Sequence, residues 1–159
     1  NFDNNPEPFM MLYHVNFGYP LLTDKSEVKT SACTRKGFNE ISHDHEHMIA
    51  PIDNRGEELF FQTDLGPAAA GVIYNPELEL GAYVAWNTEN LPNFFEWKNM
   101  KSHDYVLALE PCNTFGINRD EAAKQGKLAV LPAYSSISNH LEIGVLDGMT
   151  EINEFIRNL

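Results

Sequence analysis

Apolar positions along this chain recur at a period of two or in short unbroken runs, and helical spacing is confined to small pieces. Phe9–Phe17 (FMMLYHVNF) is an apolar run bounded by Pro8 and Gly18 and interrupted by His14 and Asn16. It reads as a buried strand in which those two polar side chains share a face, because alternate strand residues point the same way. Glu57–Asp64 (EELFFQTD), Ala69–Asn75 (AAGVIYN) and Leu80–Asn87 (LGAYVAWN) predict three successive strands. The turn residues Gly66-Pro67 and Asn75-Pro76 between them suggest an antiparallel meander. Tyr105–Glu110 (YVLALE) is a strand expected to stop at Pro111, which has no N–H for a ladder. Leu128–Leu131 and His140–Leu146 complete the set.

Other stretches read differently. Thr23–Asn54 is polar and weakly periodic, a long excursion with one or two short strands. Leu91–Asn99 (LPNFFEWKN) has irregularly spaced aromatics and a Pro near its start, which suggests a loop or one helical turn. Asn118 before RDEAAKQG has the marks of a short capped helix ending at Gly126. In Thr150–Leu159, Thr150 is a candidate cap and Ile152, Phe155, Ile156 and Leu159 fall on one helical face. No repeat or low-complexity tract is present. Short strands with turn signals and little helix predict an all-β sandwich or barrel-like assembly.

The 159 residues suit one domain, and 43% hydrophobic residues suffice for a core. Against 11 Lys and Arg stand 23 Asp and Glu, a formal charge of −12. That balance argues against nucleic acid and anionic membrane as partners, since both reward a basic surface. No apolar run approaches the roughly 20 residues of a spanning helix. Two distant cysteines, Cys33 and Cys112, make no disulfide framework, so reduced thiols and a cytoplasmic location are expected. The chain opens on Asn1 rather than Met, in a stretch (NFDNNPEPFMM) that reads like the middle of a protein.

Four groups of residues could carry chemistry. His14, on its apolar strand, is either a core histidine bonded to a backbone carbonyl or a cleft histidine whose charge changes near neutral pH. Glu110, ending an apolar strand, either reaches water or sits in a cavity where desolvation raises its pKa to that of a general base. His43, His45 and His47 alternate along HDHEHM; a metal site is one reading and a solvated loop the other, and the acid spacing of a cupin-like site is missing. Phe94, Phe95 and Trp97 beside Lys98 form either a sugar-stacking platform or core. Glu57 and Glu58, adjacent in a strand, face opposite sides, so at most one lines a given pocket.

LYHVNFGYPLL (Leu12–Leu22) resembles the catalytic-histidine segment of the galactose mutarotase, or aldose 1-epimerase, superfamily, and LALEPCN (Leu107–Asn113) its general-base segment. The order of YHxNFGYP, a strand-opening acid after a Pro (Pro51 to Glu57), Trp97-Lys98 and YVxxLEP is similar to an uncharacterised aldose 1-epimerase-like branch. The resemblance runs from about Met10 to the HLEIGVLDG segment. It implies part of a galactose mutarotase-like β-sandwich (a supersandwich) of antiparallel strands with short helical pieces. It also implies an isomerase that interconverts the anomers of an aldose, with His14 as acid and Glu110 as base. Asn16, Glu57, Trp97 and Lys98 would be substrate-binding residues, with a monosaccharide or sugar derivative as ligand and no metal or organic cofactor. A non-catalytic sugar-binding module is the alternative, and a metal-dependent β-barrel enzyme using the three histidines a further rival. Members of the superfamily are about twice as long, so residues 1–159 resemble the C-terminal portion of one such domain. The N-terminal half is the expected partner.

Overall fold

The computed structural model describes residues 1–159. Eleven strands and two helices follow one another: β1 (Glu7–Phe9), β2 (Val15–Phe17), β3 (Glu27–Thr30), β4 (Thr34–Gly37), β5 (Glu58–Thr63), β6 (Ala68–Asn75), β7 (Leu80–Asn87), β8 (Asn93–Asn99), β9 (Val106–Cys112), α1 (Arg119–Lys124), β10 (Ala129–Leu131), β11 (Leu141–Asp147) and α2 (Met149–Arg157). The chain is all-β with short helical pieces. A five-stranded sheet in the order β2-β9-β8-β5-β4 and a four-stranded sheet in the order β11-β7-β6-β3 are both antiparallel, and β1 pairs with β10 apart from them.

The core lies between the two larger sheets. Leu107 and Leu109 of β9 and Phe94 of β8 meet Ile73 of β6 and Val84 and Trp86 of β7, all fully or nearly fully buried. Phe94 stacks on Trp86 with ring centroids 5.0 Å apart. On the far side of the four-stranded sheet, α2 lays Ile152 against Val72, Tyr74 and Leu146.

Several expectations are corrected. The run Phe9–Phe17 is two short strands, not one. Its middle lies along the end of β9, where the Tyr13 N–H donates to the Pro111 carbonyl and Asn113 N–H to that of Met11. β5 does not continue into a meander: it belongs to the five-stranded sheet, and the chain crosses to the other sheet for the β6–β7 hairpin. β9 runs through Pro111 to Cys112. In an antiparallel strand a residue's N–H and C=O point the same way, so the absent Pro111 N–H would face Tyr13, before β2 begins, where only one bond is lost.

Leu91–Asn99 is largely strand β8, in the middle of its sheet. Its pattern misleads because polar Glu96 and Lys98 face inward while aromatic Phe95 and Trp97 face out. Thr150 is not the cap of α2; Gly148 holds that position, and the Glu151 carboxylate accepts from the Asp147 N–H at 2.7 Å. The cap of α1 is Asn118 as expected, its side chain accepting from Glu121 N–H at 2.9 Å.

Candidate active site

Register brings the two candidate catalytic residues together. Val15 pairs with Leu109, Asn16 with Ala108 and Phe17 with Leu107. Continuing one residue outward sets His14 opposite Glu110, and the Leu12–Cys112 bridge holds the segment in place beyond it. Leu107 and Leu109 face the core, so Ala108 and Glu110 face outward, and His14 and Asn16 lie on that same outer face. His14 Nε2 lies 2.9 Å from Glu110 Oε1. The two side chains touch.

Their surroundings differ. The His14 side chain is 47% exposed and that of Glu110 only 6%. Phe95 lies directly across from Glu110 in the β8–β9 ladder and packs against Phe61 at 4.7 Å and Phe38 at 5.9 Å between centroids. The following loop closes over this wall at Gly116, whose φ of +68° suits glycine and whose Cβ, if present, would meet the Phe38 ring at 2.2 Å. Burial pushes the Glu110 carboxyl up to about 7.

Trp97 extends the cluster along β8. Its ring meets His14 edge-on with centroids 5.4 Å apart, and its indole Nε1–H donates to Glu57 Oε2 at 3.0 Å. Glu57 is exposed just before β5, whereas its neighbour Glu58 is buried and accepts two bonds from Arg55 at 2.7 and 3.2 Å. The adjacent pair therefore divides as strand alternation requires, with Glu57 on the side of the site. Asn16 is exposed two residues beyond His14, on the same face.

Lys98 does not join this group. It follows Trp97 in β8 and so points the other way, into the interior, where it is 2% exposed. Its Nζ donates to the carbonyls of Asp44 at 2.6 Å and His47 at 2.9 Å. Desolvation lowers its pKa. Beside it Glu96 is fully buried and meets His45 Nδ1 at 3.2 Å, and burial raises its carboxyl.

The three alternating histidines diverge. His45 turns inward to Glu96, His47 turns back to Asp44 at 3.0 Å, and His43 is exposed. Phe94 belongs to the core, while Phe95 and Trp97 belong to the outer face. The sequence reading missed the aromatic cluster that Phe38 and Phe61 form with Phe95, the ladder neighbour of Glu110. Phe38 sits in the aperiodic excursion, and its role arises from a contact between distant segments.

Fold and site together define an antiparallel β-sandwich that presents a carboxylate–imidazole pair on the outer face of one sheet. The chain belongs to the family described as a domain of unknown function, DUF4432, whose model matches residues 1–145. It is similar to a crystal structure of a putative aldose 1-epimerase from Klebsiella pneumoniae subsp. pneumoniae MGH 78578, with a TM-score of 0.90 and 20% identity. The match covers 99% of this chain and 44% of that one, so the chain spans less than half the length of its structural relative. The likeness establishes the aldose-epimerase fold. No curated protein matches the sequence, and no helix is long and apolar enough to cross a membrane.

Proposed function

We propose that this protein is an aldose 1-epimerase-like isomerase in which Glu110 is the base and His14 the acid. The observation that carries this reading is the buried Glu110 carboxyl, raised to about 7 and in contact with a half-exposed imidazole at 2.9 Å. A base that titrates near neutral pH combines a useful fraction of carboxylate with enough basicity to remove a proton. The neighbouring imidazole suits the opposite transfer.

The reaction moves two protons. Glu110 takes the proton of the C1 hydroxyl as the bond between C1 and the ring oxygen breaks, and His14 protonates that oxygen. The open form carries a free aldehyde at C1. Rotation about C1–C2 exposes the other face of the carbonyl, and closure returns both protons. A sugar entering the site inserts its polar atoms between His14 and Glu110, parting the contact made in its absence. Glu57, oriented by the Trp97 N–H, has an oxygen left to accept from sugar hydroxyls. Lys98 has no part in this reading, because it lies on the opposite face of β8.

The remainder of a longer sandwich would complete the protein. Ile143 and Val145 pair with the buried Val84 and Ala82 and so face the interior side of their sheet, yet they are 60% and 67% exposed. Apolar side chains on an inward face with no cover suit further strands packed over them. The structural relative of more than twice this length supports the same arrangement.

Anomer exchange followed by NMR across a panel of aldoses tests the function, using the full-length protein. Exchange well above the buffer rate, lost in Glu110→Gln and His14→Ala, is the expected result. Exchange at the buffer rate for every sugar overturns it, and calorimetric sugar binding without exchange would instead mark a non-catalytic sugar-binding module.

A further inference from the structure

We propose, building on the epimerase reading, that the substrate is a saccharide of at least two units. Its reducing unit lies over His14 and Glu110, and its second unit occupies a polar hollow beyond Trp97. That hollow has a volume of about 440 Å³ and is lined by Asn54, Arg55, Glu57, Asn99, Lys101 and Asp104, with the Gly56 backbone and no apolar side chain. It lies within the size range of small-molecule sites.

Glu57 belongs to both places. One carboxylate oxygen accepts from Trp97, whose ring touches His14, while the residue itself lines the hollow. Trp97 and Glu57 therefore connect the His14–Glu110 pair to the hollow. The ladder supplies the scale: Glu58 pairs with Lys98, so Glu57 aligns with Asn99, which pairs with Val106. Val106 lies four residues before Glu110 on β9, about 13 Å along the strand at ~3.3 Å per residue. The Trp97 and Glu57 side chains reach back across part of that span, so one pyranose over His14 and Glu110 meets Glu57 only at its far edge and leaves the hollow empty. A further linked unit enters it.

The lining also selects the chemistry. Arg55 is paired with Glu58 at 2.7 Å and Lys101 with Asp104 at 2.8 Å, so neither basic group of the lining is free to meet a ligand charge. An anionic ligand would meet two carboxylates there, and a cationic one two basic groups. A neutral polyol, which donates and accepts at every hydroxyl, fits both. Asn99 accepts from the Lys101 N–H through Oδ1 at 3.3 Å, which leaves its amide nitrogen as a donor beside the Glu57 acceptor. No aromatic ring lines the hollow, so recognition there is by hydrogen bonding, with Trp97 as the apolar surface between the two units.

The test compares kcat/KM for anomer exchange of monosaccharides with that of reducing disaccharides sharing the same reducing unit, using NMR on the full-length protein. The expected result is at least a tenfold preference for one or more disaccharides, with the ratio falling by about tenfold in Asn99→Ala and in Lys101→Ala. Equal kcat/KM for the two classes, or a preference untouched by both substitutions, overturns the proposal while leaving the epimerase reading intact. If no sugar is exchanged, the epimerase reading fails separately, and calorimetric titration with the same disaccharides decides the hollow. Binding tighter than that of monosaccharides and weakened by Asn99→Ala upholds it; equal or absent binding overturns it.

Discussion

His14 and Glu110 are cross-strand neighbours on the outer face of the five-stranded sheet, with Nε2 and Oε1 2.9 Å apart, one side chain half in water and the other almost wholly out of it. The asymmetry gives them different chemistry. The buried acid is raised toward neutrality, and the exposed imidazole keeps room to move aside for a ligand. The first prediction concerns this pair. Glu110→Gln and His14→Ala should each lower kcat for anomer exchange by roughly 10²–10⁴-fold. The double variant should lose little more than the worse single one, because the two groups act in one step. Exchange rates from NMR line shapes or saturation transfer measure this.

The pH dependence has a definite sign. If Glu110 is the base, kcat/KM should fall as pH drops through about 7, where the carboxylate takes up its proton. Stability should move the other way. An acid whose folded-state value lies above its ordinary value of 4.5 favours the folded state when protonated. Its cost appears as pH rises from about 4.5 and is complete above about 7. Glu110→Gln should therefore raise the melting temperature at pH 8 relative to wild type, with little difference at pH 4.5. Thermal melts across that range check it.

Trp97→Phe keeps a ring beside His14 and removes the N–H that orients Glu57. The expected effect is a KM several-fold higher with kcat largely retained, in line with the roughly 1 kcal/mol of one hydrogen bond. Trp97→Ala also removes the edge contact to His14 and should lower kcat. Steady-state analysis of the two variants separates positioning of Glu57 from positioning of His14.

The interior pair of His45 and Glu96 should matter for stability. Glu96 is fully buried, with His45 at 3.2 Å on one oxygen and no partner on the other. His45→Ala strands that carboxylate and should cost about 3–5 kcal/mol at neutral pH, read from denaturant midpoints. The loss should shrink as pH falls, since Glu96 then escapes its charge by taking up a proton. Replacing both residues by Leu should recover most of the stability.

Val145 tests whether further strands cover the four-stranded sheet. In the 159-residue chain, Val145→Ser alters a side chain that is 67% exposed, and the change should stay within about 0.5 kcal/mol. In a longer protein whose added strands bury it, the same substitution should cost about 2 kcal/mol. Denaturant titrations of the two proteins give the comparison.

Features that depend on neighbours along the chain were legible before any fold was known. The β5, β6 and β7 runs carry enough apolar and β-branched residues between turn signals to be strands in isolation. Asn118 and Gly126 mark α1 because capping is a matter of a few consecutive residues. Alternation put His14 and Asn16 on one face and divided Glu57 from Glu58. Tertiary structure decided which faces are interior. β8 reads as a loop because its polar Glu96 and Lys98 point inward and its aromatic Phe95 and Trp97 outward, and the buried partners that stabilise this inversion lie some fifty residues away in the 44–47 segment. Pro111 stays within β9 because Tyr13, far along the chain, happens to be the neighbour that loses a bond. The basicity of Glu110 arises in the same way: no local pattern specifies the burial that sets its carboxyl beside Phe95 and out of water. Desolvation depends on what the fold assembles around a group, and a period of two says only which side the group is on.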